Sequence, residues 1–202
     1  MSDTAPPSYR RPAVSPVELQ RALRLLGWPI KVDGVIGERT AAAVCDFQRG
    51  WAYSSLVATG NAGPSTHTAL RASIRRGGRC SQHFSFRAFR CPDCGWIKLD
   101  RALARGLERY REAVGEAVSI RSGHRNAAAN AALGGLSRSQ HLHGVAADVE
   151  PALPLDEVIL LRAFSGIGYD PTTGLVRHVD VRHCGPAADG STVARPALWA
   201  IA

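Results

Sequence analysis

Ser139-Gln-His141-Leu-His143-Gly144-Val-Ala-Ala-Asp148-Val149 is the stretch from which the fold is read. Gly144 offers a turn. After it the chain takes the two-residue period of a strand, with Val145, Ala147 and Val149 on one face and Asp148 on the other. His141 stands just before the turn and can swing to the side of Asp148. A second stretch, Leu175-Val-Arg-His-Val-Asp-Val181, has the same period and places Val176, His178, Asp180 and Arg182 on one face. If the two strands are neighbours, an imidazole from each side and one carboxylate converge.

Two histidines and a carboxylate are a reasonable catalytic zinc set, because three protein ligands leave the fourth tetrahedral position to water. The ion lowers the pKa of that water and polarises the carbonyl under attack. On residue types alone, His141, Asp148 and His178 are one choice among several. His124, His143 and His183 could enter other triads, and a lone histidine is more often surface or satisfied core than ligand.

Working outward, the apolar run from Leu155 to Phe164 reads as a helix between the two strands. Leu99, Leu103, Leu107, Tyr110 and Val114 recur at three to four residues, an amphipathic helix that belongs to the core. Upstream, Leu19, Leu23 and Leu26 describe a helix from Val17 to a stop at Gly27. Ala41, Val44, Cys45 and Gln48 describe a second, with Thr40 as its N-cap candidate, and Ser65 to Ser73 a short third. Lys31 to Gly37 is turn chemistry. Four segments are therefore expected: a flexible, proline-rich leader at 1–15, a small three-helix domain at 16–74, a linker at 75–82 around Arg75-Arg-Gly-Gly-Arg79, and a domain at 83–202. The expected fold class is α+β, with a small antiparallel sheet in the second domain.

The chain has 202 residues, 45% hydrophobic and 21% charged, which is ordinary for a folded globular protein. Its net charge of +8 implies attraction to a polyanion, and nucleic acid and the anionic bacterial wall both qualify. Scattered arginines and only 6% aromatic residues argue against a nucleic-acid binder. No segment approaches the roughly 18 apolar residues of a membrane span, so no membrane insertion is expected. The start lacks the apolar run and cleavage site of a secretory signal, so synthesis in the cytoplasm without a recognisable signal peptide is expected. Five cysteines cannot all pair internally, and a reducing compartment of synthesis fits. Cys91-Pro-Asp-Cys94-Gly, with Cys80 upstream, has the spacing of a structural zinc knuckle, but a full site needs a fourth ligand such as His83 or Cys184. A disulfide between two of these cysteines is a comparable reading, so a second ion is left unassigned. Cys45 falls on a helix and is read as core.

Two resemblances sharpen these expectations. Leu19-Gln20-x-Ala22-Leu23, Asp33-Gly34-x-x-Gly37-x-x-Thr40-x-x-Ala43-Val44, Phe47-Gln48 and Gly60-Asn-Ala-Gly63-Pro64-x-Thr66-x-x-Ala69-Leu70 resemble the peptidoglycan-binding domain found beside many wall hydrolases. These residues are mostly structural, with glycines for turns and threonines as helix caps. Ser122-Gly-His-Arg125, Asn130, Gly134-Gly135, Ser139-x-His141-x-x-Gly144-x-Ala146-x-Asp148 and His178-Val-Asp180 resemble the zinc D-Ala-D-Ala carboxypeptidase family, which includes phage L-alanyl-D-glutamate endopeptidases. That resemblance covers roughly residues 83 to 183. It implies a zinc metallopeptidase of the carboxypeptidase or cell-wall endopeptidase type, with one catalytic zinc ion on His141, Asp148 and His178. It also implies peptidoglycan as partner and the cell wall as place of action. Arg125 becomes a substrate or transition-state contact, since a guanidinium can fork onto a peptide carboxylate or stabilise an oxyanion; its bland reading is a surface salt bridge. Ser139 orients His141, accepts a substrate hydrogen bond or caps a turn.

The general base departs from the family pattern. Many relatives carry Glu, Asp or His two or three residues before the third ligand, where this chain has Val176 and Leu175. Asp180, on the face of His178, is the candidate and His183 the second. The other role for Asp180 is a partner that orients His178. A monomeric phage endolysin is the expected whole, against a catalytically impaired wall-binding protein or a secreted bacterial D-Ala-D-Ala carboxypeptidase.

Overall fold

The structure is a computed structural model and describes residues 15–182 and 196–201. Helix α1 (Pro16–Leu26) opens with a capping box: Ser15 Oγ accepts from the Glu18 N–H, and the Glu18 carboxylate accepts from the Ser15 N–H at 2.9 Å. It stops at Gly27, whose φ of 119° is left-handed and whose N–H returns to the carbonyls of Leu23 and Arg24. Its buried stripe is Leu19, Leu23 and Leu26.

Helices α2 (Glu38–Gly50) and α3 (Pro64–Arg75) complete the helical unit, and both start on extended glycines, Gly37 and Gly63. Thr40 is therefore not the N-cap. It lies in the first turn of α2, buried, and its hydroxyl accepts from Gln20 Nε2 at 3.4 Å. The Gly-x-x-Thr pattern occurs twice because one device is used twice. The Gln20 carboxamide oxygen accepts from Asp33 N and Gly34 N, while its nitrogen donates to Asp33 Oδ1, the Val35 carbonyl and Thr40. The Gln48 oxygen accepts from Thr59 N and Gly60 N, while its nitrogen donates to the Asn61 carbonyl and Thr66. Each buried glutamine thus pins the loop before a helix.

The segment around Arg75–Arg79 turns on left-handed Gly77 and Gly78 and then packs back onto the helices. Phe86, in a 3-10 turn at Phe86–Phe89, lies 5.1 Å from the Trp28 ring and 5.2 Å from Phe47. Trp28 Nε1 donates to the Ile97 carbonyl at 3.2 Å, and Trp96 Nε1 to Asp46 Oδ2 at 2.8 Å. Helix α4 (Arg101–Val114), N-capped by Asp100, adds Arg101, whose guanidinium donates to the carbonyls of Gln48, Arg49, Ser54 and Leu56. One continuous apolar cluster therefore runs from Leu19 and Phe47 through Phe86 and Leu107 to Val179.

The rest is α+β, as expected. Strands β1 (Ser119–Ser122), β2 (Ala146–Glu150), β3 (Gly166–Tyr169), β4 (Val176–Asp180) and β5 (Ala197–Ala200) form one sheet in the order β1-β2-β4-β3-β5. The pairs β1-β2, β2-β4 and β3-β4 are antiparallel, while β5 adds to β3 in parallel, so the sheet is mixed at that edge. Helix α5 (Ala127–Ala132) follows β1, and α6 (Leu155–Leu160) lies between β2 and β3. The helix read to Phe164 ends at Leu160, because Arg162 takes a φ of 49° to turn buried Phe164 inward. Among the described residues no helix is long and apolar enough to cross a membrane.

Candidate metal centre

Three elements deliver the cluster. A 3-10 turn at Gln140–His143 presents His141, and Gly144 at φ 72° then swings the chain into β2. A Cβ on Gly144 would stand 2.5 Å from the Lys98 backbone carbonyl carbon, so this position needs glycine for room as well as for conformation. β2 and β4 are neighbours in a register that sets Asp148 directly opposite His178. Asp148 points away from buried Ala147 and Val149, as the alternation requires.

His141 Nε2 lies 3.2 Å from Asp148 Oδ1 and 3.2 Å from His178 Nδ1, and His178 Nδ1 lies 2.8 Å from the same carboxylate oxygen. These three atoms belong to the single group of metal-compatible side chains among the described residues. Their outer partners set the tautomers. The His141 Nδ1–H donates to the Gly123 carbonyl at 2.6 Å, which leaves the Nε2 lone pair facing inward. His178 Nε2 faces Asp180 Oδ2 at 3.3 Å, which leaves Nδ1 facing inward. Two imidazole lone pairs and a carboxylate oxygen therefore face one another. Zinc bonds of roughly 2.0–2.1 Å give a tetrahedron with edges of about 3.3 Å, close to these separations, so the donor set fits that ion in chemistry and in span.

Burial alone would raise the Asp148 pKa, but the His141 and His178 imidazoles beside it outweigh that and hold the carboxyl below its usual range. For His178, burial favours the neutral ring, and contacts with Asp148 and Asp180 reverse that and raise its pKa. Arg125 is not a surface salt bridge. Its side chain is 11% exposed, Nη2 pairs with Asp148 Oδ2, and Nε donates to Ser122 Oγ at 2.7 Å. Nη1 has no hydrogen-bond partner among the described residues.

Asp180 is fully buried on the far side of the His178 imidazole from Asp148 and His141. It hydrogen-bonds the outer Nε2 of His178 and none of the three inward atoms, a placement that suits the orienting role. Arg182 grips it: Arg182 Nε lies 2.8 and 2.9 Å from the two carboxylate oxygens, and the Arg182 N–H donates at 3.1 Å. Burial pushes the Asp180 pKa up, and the bonds from Arg182 and His178 more than reverse that, to about 2. The second base candidate, His183, and the candidate ligand Cys184 lie outside the described residues.

His124 is buried beneath the cluster, with Nδ1 3.0 Å from the His141 carbonyl, and supports the turn. His143 is exposed. Ser139 heads the 3-10 turn without a side-chain cap bond and lines a groove of about 800 Å³ that opens on the cluster. Cys80, Cys91 and Cys94 are free thiols and join no metal group among the described residues. Sequence reasoning missed Trp199, which reaches the groove from β5. Nothing local marks it, because its neighbours in space are about 20 residues away in the chain. Arg182 was placed on the right face, but its grip on Asp180 was not foreseen.

Residues 90–184 match the family described as Peptidase M15, and residues 14–70 match the putative peptidoglycan binding domain. The chain is 29% identical over 146 residues to the zinc D-Ala-D-Ala carboxypeptidase of Streptomyces albus G. That similarity takes in 64% of this chain and 56% of the relative, so the chain spans little more than half of the relative's length.

Proposed function

We propose that this chain, in which residues 14–70 match the putative peptidoglycan binding domain and residues 90–184 match Peptidase M15, is a zinc-dependent peptidase that cuts an amide bond in the stem peptides or cross-links of bacterial peptidoglycan. The observation that carries this reading is the convergence of His141 Nε2, Asp148 Oδ1 and His178 Nδ1 at a groove large enough for a peptide. These three residues would hold the ion. When bound, zinc supplies a Lewis acid and a water acidified towards neutrality.

The rest is supplied by the chain. Arg125 holds Asp148 in orientation through Oδ2, so that Oδ1 stays with the histidines. Its free Nη1 is the donor for a substrate carboxylate or for the oxyanion that develops on the scissile carbonyl. Asp180 orients His178 from behind, the arrangement by which an outer carboxylate fixes a ligating imidazole. Asp148 is the only carboxylate lining the groove among the described residues. The helical unit holds the chain on its insoluble substrate, and the net positive charge favours an anionic wall.

Digestion of purified peptidoglycan, with mass spectrometry of the fragments, tests the reading. Cleavage that stops on chelation and returns with zinc is expected, and unchanged muropeptides from a zinc-loaded protein would sink it. The products also separate the roles. Release of free D-Ala fits a bacterial D-Ala-D-Ala carboxypeptidase, whereas opened stems or cross-links fit wall lysis by a phage endolysin, the role we favour.

A further inference from the structure

We propose that Trp199, acting with Arg182, is a positioning residue for the third metal ligand, and that the two set how firmly zinc is held through His178. The inference rests on the reading of His141, Asp148 and His178 as a zinc set.

An imidazole can rotate about χ2, and only one orientation of the His178 ring brings Nδ1 to Asp148. The contact that selects it from behind is Asp180 Oδ2, and at 3.3 Å that hydrogen bond is long. A long bond orients a ring only if the carboxylate is itself held still. Arg182 holds it with a forked contact, and the Arg182 guanidinium lies over the Trp199 ring, 4.6 Å from its centroid. The same indole reaches the His178 ring, with centroids 5.2 Å apart and planes at 60°. His178, Asp180, Arg182 and Trp199 thus close on one another as a box, three walls from the β4 end and one from β5.

The neighbouring strand is shaped to admit this box. A Cβ on Gly166 would collide with both Asp180 carboxylate oxygens. A Cβ on Gly168 would stand 2.6 Å from Ile201 Cδ1 and 3.0 Å from Trp199 Nε1. Neither glycine has a positive φ, so conformation does not demand them. Glycine weakens a strand interior, yet β3 carries two, and each makes room for a different member of the same network.

The test is zinc affinity of the full chain, measured by competition with a chromophoric chelator, for wild type, Trp199→Ala, Trp199→Phe and Gly168→Ala. Trp199→Ala should bind zinc about 10–100-fold more weakly, the scale of outer partners of metal ligands. Trp199→Phe, which restores a ring face for Arg182, should recover most of that loss, and Gly168→Ala should fall between. In cobalt-substituted protein the visible bands should shift for Trp199→Ala but not for Gln48→Ala, a variant weakened far from the site. Wild-type affinity together with an unchanged cobalt spectrum in Trp199→Ala would overturn the proposal. If Trp199→Ala fails to fold, the other two variants decide: both indistinguishable from wild type would overturn it equally. A wild-type chain that binds no zinc would instead overturn the metal reading itself.

Discussion

The helical unit and the metal centre both bury polar side chains, and they complete them in opposite ways. Gln20 and Gln48 are almost wholly buried, and every carboxamide nitrogen and oxygen finds a partner of the opposite kind in the loop it pins. His141, Asp148 and His178 turn atoms of the same kind towards one another, three electron-pair donors about 3 Å apart. The first arrangement is complementary to itself and fixes structure. The second is complementary to a cation. Burial alone would not tell the two apart; donor and acceptor identity does.

That contrast can be broken at several points. The largest effect is expected from His141→Ala, which removes one of the three proposed ligands. Zinc content should fall to background and wall digestion with it, by more than the roughly 10–100-fold of an outer partner; retained cleavage would end the ligand assignment. Arg125→Ala should lower turnover by about 10²–10³-fold, the scale of a lost oxyanion donor. At saturating zinc the metal content should persist in that variant even if affinity falls through the lost Asp148 contact, and metal analysis beside kinetics checks this. Gln48→Ala tests the other side of the comparison. It strands the Thr59 and Gly60 N–H groups and should destabilise the fold by about 2–3 kcal/mol in urea unfolding, leaving zinc affinity unchanged.

The smallest effect concerns Glu108, which accepts from Ser81 Oγ at 2.6 Å and His83 N at 2.7 Å. Burial raises its pKa, but these bonds and the contact with the His83 ring outweigh that and lower it from the ordinary 4.5. A lowered folded-state pKa means stability fully present above the unfolded value and lost as pH falls through the folded one. Thermal melts of Glu108→Gln should therefore lose less stability than wild type between about pH 5 and 3.

Much of the centre was legible because strand alternation is a local property. Asp148 and His178 were each placed on the correct face from spacing alone, and Gly144 was placed at the turn. Whether the two strands paired, and in the register that sets Asp148 against His178, depends on contacts 30 residues apart that no spacing encodes. The same limit explains Asp180. Its face was read correctly, but its role turns on which imidazole nitrogen meets it, a rotamer property. Thr40 was misread because a threonine near a helix start resembles a cap, whereas the glycine three residues earlier already ends the extended segment. Trp199 had no local signal, since a parallel edge strand brings it in from beyond Arg182.

Trp28, Phe47, Phe86 and Ile97 share one interior, and Arg101 stitches α4 to four carbonyls of the helical unit. Mechanically this makes the chain a caliper rather than a leash. A catalytic head on a slack tether sweeps a volume, whereas a fused one reaches only points at a single offset from where it grips. If the helical face is what grips the wall, the bonds within reach are those that the mesh presents at that offset, and the pitch of the mesh becomes part of the selectivity.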